Sequence, residues 1–418
     1  MNSEILDHKR SDELSEKDRE RQSELGEIKR KILSVMPQLH ENVNTRKICF
    51  HEFQKGFLEE KPIRRGIIYL RSSGCPWMLK DKNGGCFMCG HLFGTTFDKP
   101  ITADDYKAQF DGIIGHSDFA EIPMLSIYNA GSFFNDEELP ADARKYICDR
   151  LNEIPHIKHV IFESRPEYIN DEKLTVLRES IPNKGIEIGF GLESSNKLIR
   201  DVCVNKGFSE RIFLTAIDVL KRYNISPLAY VLLKPPFLTE AMAIEDAISS
   251  IEWAFSKGVD VVSLEPISVQ KYTLIHLLYR LNKYRPPWIW SVLRVISEVG
   301  KKGLLQKRLL RIGGYEYYPQ PFQHTHNCNV CTKSCEVAID QYNATNKMTV
   351  IEDALKNLCN NCKDQYEKQL AENMTIENAI DDSLVKLKPL NESEIASLLQ
   401  QDVCHNPNVL TQIDACGL

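Results

Sequence analysis

The run Gly66-Ile-Ile-Tyr-Leu-Arg71-Ser-Ser-Gly-Cys75-Pro-Trp-Met-Leu-Lys-Asp-Lys-Asn-Gly-Gly-Cys86-Phe-Met-Cys89-Gly90 joins a short apolar stretch to a glycine-rich loop with three cysteines. The apolar stretch reads as a β-strand, and the loop leaves from its C-terminal end. Three thiolates gathered at a strand end can hold a metal centre and leave one coordination position open, whereas a closed structural site needs a fourth ligand. From these residues three readings stand. One is a [4Fe-4S] cluster whose fourth iron is open to a small molecule. The second is zinc with His91 as fourth ligand, and the third is three unrelated buried cysteines.

Working outward, five more strand-like apolar runs follow, at 123–129, 159–164, 187–194, 227–234 and 261–267. Amphipathic stretches lie between them, among them 140–154, 209–223 and 240–256. Strand and helix alternating in this way imply a parallel sheet covered by helices. Each run ends in polar groups: Tyr128-Asn129-Ala130-Gly131-Ser132, Glu163-Ser164-Arg165, Glu193-Ser194-Ser195, Lys234-Pro-Pro and Glu265-Pro266. Polar groups converging at the C-terminal ends of all strands are the barrel pattern for an active site. The expected fold is therefore α/β, a partial (β/α)6 TIM-like barrel over residues 46–318.

Around that barrel the composition changes. Residues 1–45 are charged and helix-prone, and Leu25, Ile28, Ile32, Leu33 and Met36 form an apolar stripe, so a helical extension is expected. Residues 319–370 carry Cys328-x-x-Cys331 and Cys359-x-x-Cys362, two pairs separated by 27 residues. That spacing reads as a small metal-binding module, either a tetrahedral zinc site or a second iron–sulfur cluster, with Cys335, His324 and His326 as spare ligands. Residues 371–418 read as a polar tail with one helix at 392–401. Cys49, Cys148, Cys203, Cys404 and Cys416 are isolated and read as structural.

The chain has 418 residues, 42% of them hydrophobic, enough for one large domain with appendages. Its first residues are polar and charged, and no run of about 18 apolar residues exists, so neither a signal peptide nor a membrane span is expected. Thirteen cysteines without a secretory signal point to a reducing, cytoplasmic setting. The net charge of −6 gives no global attraction to nucleic acid, although a local basic face is compatible with it.

The cysteine loop resembles that of radical S-adenosylmethionine (SAM) enzymes, and its wide spacing, ten residues then two, resembles the branch containing the Elongator catalytic subunit. Three further motifs are similar to that branch in order and spacing: Ile127-Tyr-Asn-Ala-Gly-Ser-Phe-Phe-Asn-Asp136, Phe162-Glu-Ser-Arg-Pro-Glu-Tyr-Ile169 and Gly189-Phe-Gly-Leu-Glu-Ser194. Two more, Tyr230-Val-Leu-Leu-Lys-Pro-Pro-Phe-Leu-Thr-Glu240 and Arg285-Pro-Pro-Trp-Ile-Trp-Ser291, resemble archaeosine-forming enzymes that modify tRNA. The resemblance implies that Cys75, Cys86 and Cys89 each bind one iron of a [4Fe-4S] cluster. It further implies that the fourth iron chelates S-adenosylmethionine, and that one electron from the cluster releases methionine and a 5′-deoxyadenosyl radical.

By the same resemblance, Asn129, Gly131 and Ser132 approach the methionine moiety and a Glu163–Arg165 charge pair orients its carboxylate. Glu193 and Ser194 meet the ribose hydroxyls. From their places at strand ends, Lys234 and Glu265, with Glu240 and Gln270, are read as facing the substrate, with a salt bridge from Lys234 to a nearby glutamate as the equal alternative, and Trp288 and Trp290 either stack a base or pack the barrel edge. Met88 stands where an aromatic near the adenine is usual, and Phe87 falls one place early. The implied partners are S-adenosylmethionine, a flavodoxin- or ferredoxin-like electron donor and a tRNA. Two other readings remain: small-molecule biosynthesis on the same scaffold, and a non-catalytic iron–sulfur carrier or sensor.

Overall fold

The computed structural model describes residues 14–37, 43–313, 318–357 and 359–400. Eight strands form one curled sheet in sequence order: β1 (Phe50–Leu58), β2 (Lys61–Tyr69), β3 (Met124–Tyr128), β4 (His159–Glu163), β5 (Gly185–Glu193), β6 (Ser226–Leu233), β7 (Val261–Pro266) and β8 (Leu309–Ile312). From β2 to β8 every pairing is parallel, and helices such as Ala141–Asn152, Glu210–Arg222 and Glu240–Ser256 return the chain between strands. The partial barrel read from the sequence is thus present, with β2 to β7 as its six expected strands.

Two strands had no expectation. β1 pairs antiparallel with β2 through Glu59 and Glu60, both at positive φ (49° and 59°). A two-residue turn of this hand suits the right-handed twist of a hairpin, but it normally advertises itself as Asn-Gly or Asp-Gly. β8 is only four residues long and extends the parallel edge beside β7.

β1 and β8 do not pair, so the barrel has a seam. The helix Thr332–Thr345 lies against β1, β2 and β8 there. Its Asn343 donates from Nδ2 to the Ile312 carbonyl (2.9 Å) and accepts from the Ile312 N–H at Oδ1 (3.0 Å). One side-chain amide thereby satisfies an edge peptide that would otherwise face solvent or another chain.

Inside the barrel, Met124, Ile161, Leu228 and Val261 form a small apolar layer separate from the main core. Near them, Glu187 on β5 receives both Arg311 guanidinium arms from β8 and lies 2.9 Å from His159 Nε2 on β4. Burial opposes ionisation of Glu187, but the Arg311 charge and the His159 contact hold its carboxyl far below the usual range. These groups fill the interior, which leaves chemistry to the C-terminal mouth.

The helix Glu16–Ser34 starts at an Ser15 cap that accepts from Asp18 N, and it buries Leu25, Ile28 and Ile32. The helix expected in the C-terminal tail is present as Glu392–Gln400, and a second, unexpected one, Ile376–Leu387, precedes it, with Ile380, Leu387 and Ile395 buried. They dock on Glu16–Ser34, where Arg21 holds Asp381 with two hydrogen bonds (2.7 and 2.8 Å). Cys404 and Cys416 lie outside the described residues. Among those described, no helix is long and apolar enough to cross a membrane.

Candidate functional site

Cys75 leaves the end of β2 and caps the short helix Pro76–Lys80, and Cys86 and Cys89 follow in a turn closed by the Cys89 N–H to the Cys86 carbonyl. Asn205 anchors the loop from outside. Its Nδ2 donates to Asp81 Oδ2 (2.9 Å) and to the Gly85 carbonyl (2.8 Å), while its carbonyl accepts from Trp77 Nε1 (2.9 Å). Gly85, at φ 70°, is required here, because a Cβ would stand 2.6 Å from Met78 Cα. Phe87 is wholly buried and its backbone binds Val204 and Leu274, so it is a core anchor and does not face a ligand.

The three thiols are free and half-buried. Burial pushes Cys75 up to about 12 and Cys89 up to about 11, and raises Cys86. Positive charge at Arg165, Lys206 and Lys29 works against that rise. Among the described residues, the only three or more His, Cys, Asp or Glu ligand atoms all within 4.8 Å of one another belong to Cys328, Cys331, Cys359 and Cys362. Cys75, Cys86 and Cys89, with or without His91, are not such a compact set. Three thiols among cations fit a cluster that gives each thiolate its own iron.

Around the loop, the mouth holds a network of buried polar groups. Lys206, which sequence reasoning did not single out, donates to Glu193 Oε1 (2.6 Å). Glu193 sits at positive φ (66°) beside a break in strand register, and a Cβ on Gly191 would stand 2.1 Å from the Glu193 carboxylate. The glycine of the Gly-Phe-Gly-Leu-Glu motif thus makes room for this ion pair.

The expected Glu163–Arg165 charge pair does not form. Arg165 Nε donates to Glu167 Oε1 (2.5 Å) and its Nη1 to the Lys206 carbonyl (3.0 Å), because the turn Pro166–Tyr168 brings Glu167 back to it. Glu163 is left among Glu193, Glu265 and Lys206. Burial first, then the two carboxylates, push it up to about 7 against the pull of Lys206.

The Asn129 amide is wholly buried, with no hydrogen-bond partner among the described residues for either its oxygen or its nitrogen. An orphaned amide at a strand end in a polar mouth fits a bound ligand with both donors and acceptors. Ser132 accepts from the Arg165 N–H at Oγ (3.0 Å), and its own N–H donates to Glu138 Oε2 (2.7 Å). Gly131 has a different reason from the one expected: a Cβ there would stand 1.6 Å from the Glu138 carboxylate. The missing Cβ admits Glu138, whose carboxyl burial pushes up to about 8.

Other expected ligands are committed elsewhere. Ser194 Oγ donates to Asp246 Oδ1 (2.6 Å) on the surrounding helix Glu240–Ser256 and accepts from Asn196 N (3.0 Å), so it serves that contact and not the mouth. Lys234 Nζ donates to Glu240 Oε2 (2.7 Å) with both side chains buried. Glu240 also accepts from Trp288 N (2.9 Å) and Ser291 Oγ (2.5 Å). Lys234 and Glu240 thus form a buried pair that ties β6 to the helix Ile289–Lys301, the salt-bridge alternative for Lys234. Trp288 and Trp290 are buried and stacked with ring centroids 6.0 Å apart beside Tyr366, so they pack and do not take a base. Gln270 packs on Gly90, whose added Cβ would stand 2.5 Å from Gln270 Cβ. Met88 lies partly buried against the core. Glu265 keeps its place at the end of β7, with Oε1 accepting from Ser263 Oγ (2.6 Å).

The C-terminal cysteines form the compact set. Sγ separations are 3.7 Å for Cys328–Cys331, 3.6 Å for Cys328–Cys359 and 3.8 Å for Cys331–Cys362. Metal–sulfur bonds of about 2.3 Å in a tetrahedron put sulfurs about 3.8 Å apart. The set fits a single tetrahedral ion, and it is too tight for a cluster with a separate iron under each thiolate. Cys335 stays outside it, near Asn327 Nδ2 (3.5 Å).

No family model matches the chain. It is 34% identical over 274 residues to archaeosine synthase subunit beta of Methanosarcina acetivorans, covering 65% of this chain and 75% of that one. It is 31% identical over 294 residues to archaeosine synthase subunit beta of Thermococcus kodakarensis (68% and 85%). It is also 34% identical over 306 residues to an uncharacterised protein of Methanocaldococcus jannaschii (70% and 80%). Among solved structures, methylornithine synthase superposes with a TM-score of 0.43 at 14% identity, over 94% of this chain and all of that one. A superposition at that level adds nothing to the sequence relationship.

Proposed function

We infer the function from family membership: the chain belongs to the radical S-adenosylmethionine enzymes, in the Elongator-like branch near the archaeosine synthases. It is proposed to hold a [4Fe-4S] cluster on Cys75, Cys86 and Cys89 and S-adenosylmethionine beside it, and to act on a base of tRNA. A cluster so held, once reduced by a flavodoxin- or ferredoxin-like donor, supplies the electron that splits S-adenosylmethionine into methionine and a 5′-deoxyadenosyl radical.

The observation that carries this reading is the set of three thiols after β2, under the charge of Arg165 and Lys206, with the unpartnered Asn129 at the end of the neighbouring strand. The chain's own residues then divide the work. Arg165 and Lys206 offset the negative charge of three thiolates in a buried place. Asn129 offers one donor and one acceptor to the amino-acid end of the ligand. The Glu193 carboxylate, held by Lys206, is a fixed acceptor for ribose hydroxyls. Glu163 can hold or release a proton near neutrality, and the charge of Glu265 helps to keep it there. The buried Phe87 and the Asn205 clamp fix the loop that carries the three thiols. tRNA as substrate rests on the names of the two archaeosine synthase relatives.

The test is anaerobic reconstitution followed by dithionite and S-adenosylmethionine. 5′-Deoxyadenosine and methionine should form in equal amounts, and faster when bulk archaeal tRNA is added. An intact cluster that yields no 5′-deoxyadenosine would contradict the enzymatic reading. Turnover indifferent to tRNA would move the substrate to the small-molecule class.

A further inference from the structure

The helix Glu16–Ser34 presses against the outer side of the cysteine loop. They meet at Gly26, where a Cβ would stand 2.5 Å from Asn83 Oδ1. Gln22 reaches past it to Asn205 Oδ1 (3.2 Å), the residue that clamps the loop. One turn further on is Lys29, whose stem passes so close to Gly84 that a Cβ there would stand 3.0 Å from Lys29 Cγ.

Lys29 is wholly buried, and its Nζ has no hydrogen-bond partner among the described residues. An unpartnered ammonium in a protein interior is costly, and a methionine of similar length would pack there without that cost. Burial pushes the ammonium down to about 8, and the charges acting to hold it up are those of Cys89 and Cys86. The other two cations of the site differ, since Arg165 has Glu167 and Lys206 has Glu193. Lys29 alone of the three brings positive charge to the loop without a carboxylate of its own.

We propose that Lys29 is a positioning residue for the cluster, whose ammonium faces the Cys86–Cys89 side and stabilises the reduced state. The inference rests on the cluster reading above. A cluster on three thiolates becomes more negative when it accepts an electron. A fixed cation nearby, screened little because it is buried, favours that state over the oxidised one and raises the reduction potential. The N-terminal helix would thus be part of the redox machinery, although it lies outside the barrel.

The test compares the unsubstituted protein with Lys29→Met and Lys29→Gln after anaerobic reconstitution. The readouts are cluster content, reduction potential from a titration followed by electron paramagnetic resonance, and melting of the metal-free proteins. Both variants should titrate at a potential lower by at least 59 mV, a tenfold fall in the one-electron equilibrium. Metal-free Lys29→Met should melt higher than the unsubstituted protein, which shows that it folds. A folded variant that no longer retains its cluster would also support the proposal. Fully loaded variants that titrate with the unsubstituted protein would overturn it and leave the cluster reading intact. Failure of the unsubstituted protein to take up a [4Fe-4S] cluster would overturn both.

Discussion

The chain gathers cysteines twice, and the two sets are built differently. Cys328, Cys331, Cys359 and Cys362 crowd to within 4.8 Å, with adjacent sulfurs 3.6 to 3.8 Å apart. Cys75, Cys86 and Cys89 stay wider, number three, and stand among buried cations and an orphaned amide. Four ligands at tetrahedral spacing close a site, and structural ions are bound that way. Three ligands at wider spacing leave a coordination position for a small molecule. Spacing and neighbours, more than cysteine count, separate a support from a reactive centre.

The comparison breaks first at the mouth. Cys75→Ala, Cys86→Ala or Cys89→Ala should each abolish 5′-deoxyadenosine formation to background, with loss of cluster absorbance. Retention of a full cluster in any of them would show that the ligands are misassigned.

Cys359→Ala should do the reverse and lose one equivalent of zinc while the [4Fe-4S] cluster stays. Binding to such sites stores on the order of 10 kcal/mol at neutral pH. Cys331 precedes the helix Thr332–Thr345 that closes the barrel seam, so the variant should also melt far lower. Metal analysis finding no zinc in the unsubstituted protein, or an unchanged melting curve, would count against a structural ion.

Lys234→Met separates a buried pair from a catalytic role. It strands the Glu240 carboxylate in the core, and breaking such a pair typically costs about 3–5 kcal/mol. The fraction that folds should still cleave S-adenosylmethionine at the unsubstituted rate. A well-folded variant without turnover would restore Lys234 to the active site.

The smallest effect is expected at Asp246, which burial pushes up to about 7, offset by hydrogen bonds from Ser194 and Ser250. Its folded value lies above the ordinary 3.8, so the neutral form favours the fold. That contribution is whole below about pH 4 and is lost as pH rises through about 7. Asp246→Asn should therefore be more stable than the unsubstituted protein at pH 8, and nearly equal to it only below about pH 4. Lower stability of Asp246→Asn at pH 8 would mean that a charged Asp246 is wanted.

How far these features could be read from sequence follows from their physics. The six parallel strands were legible because each is an apolar run between amphipathic helices. β1 was not, because Glu59-Glu60 makes its positive-φ turn without glycine or asparagine, and β8 is too short for a pattern. The cysteine ligands are dense in residues that little else explains. Ser194 and Lys234 misled because a polar group at a strand end looks the same whether it faces the mouth or the helix behind it. Asn205, Lys206 and Lys29 escaped notice for another reason: they approach the loop from segments remote in sequence. Lys29 interrupts the apolar stripe of its helix, and a lysine at such a position reads as a stem lying on the surface until its burial is seen.

The most direct measurement is the electron paramagnetic resonance spectrum of the reduced, reconstituted protein with and without S-adenosylmethionine. An open iron in the cluster proposed on Cys75, Cys86 and Cys89 predicts a [4Fe-4S] signal that changes when S-adenosylmethionine is added. The signal should persist in Cys359→Ala and be absent from the Cys75→Ala, Cys86→Ala, Cys89→Ala triple variant. A cluster signal indifferent to S-adenosylmethionine, or one that survives in the triple variant, would contradict the account.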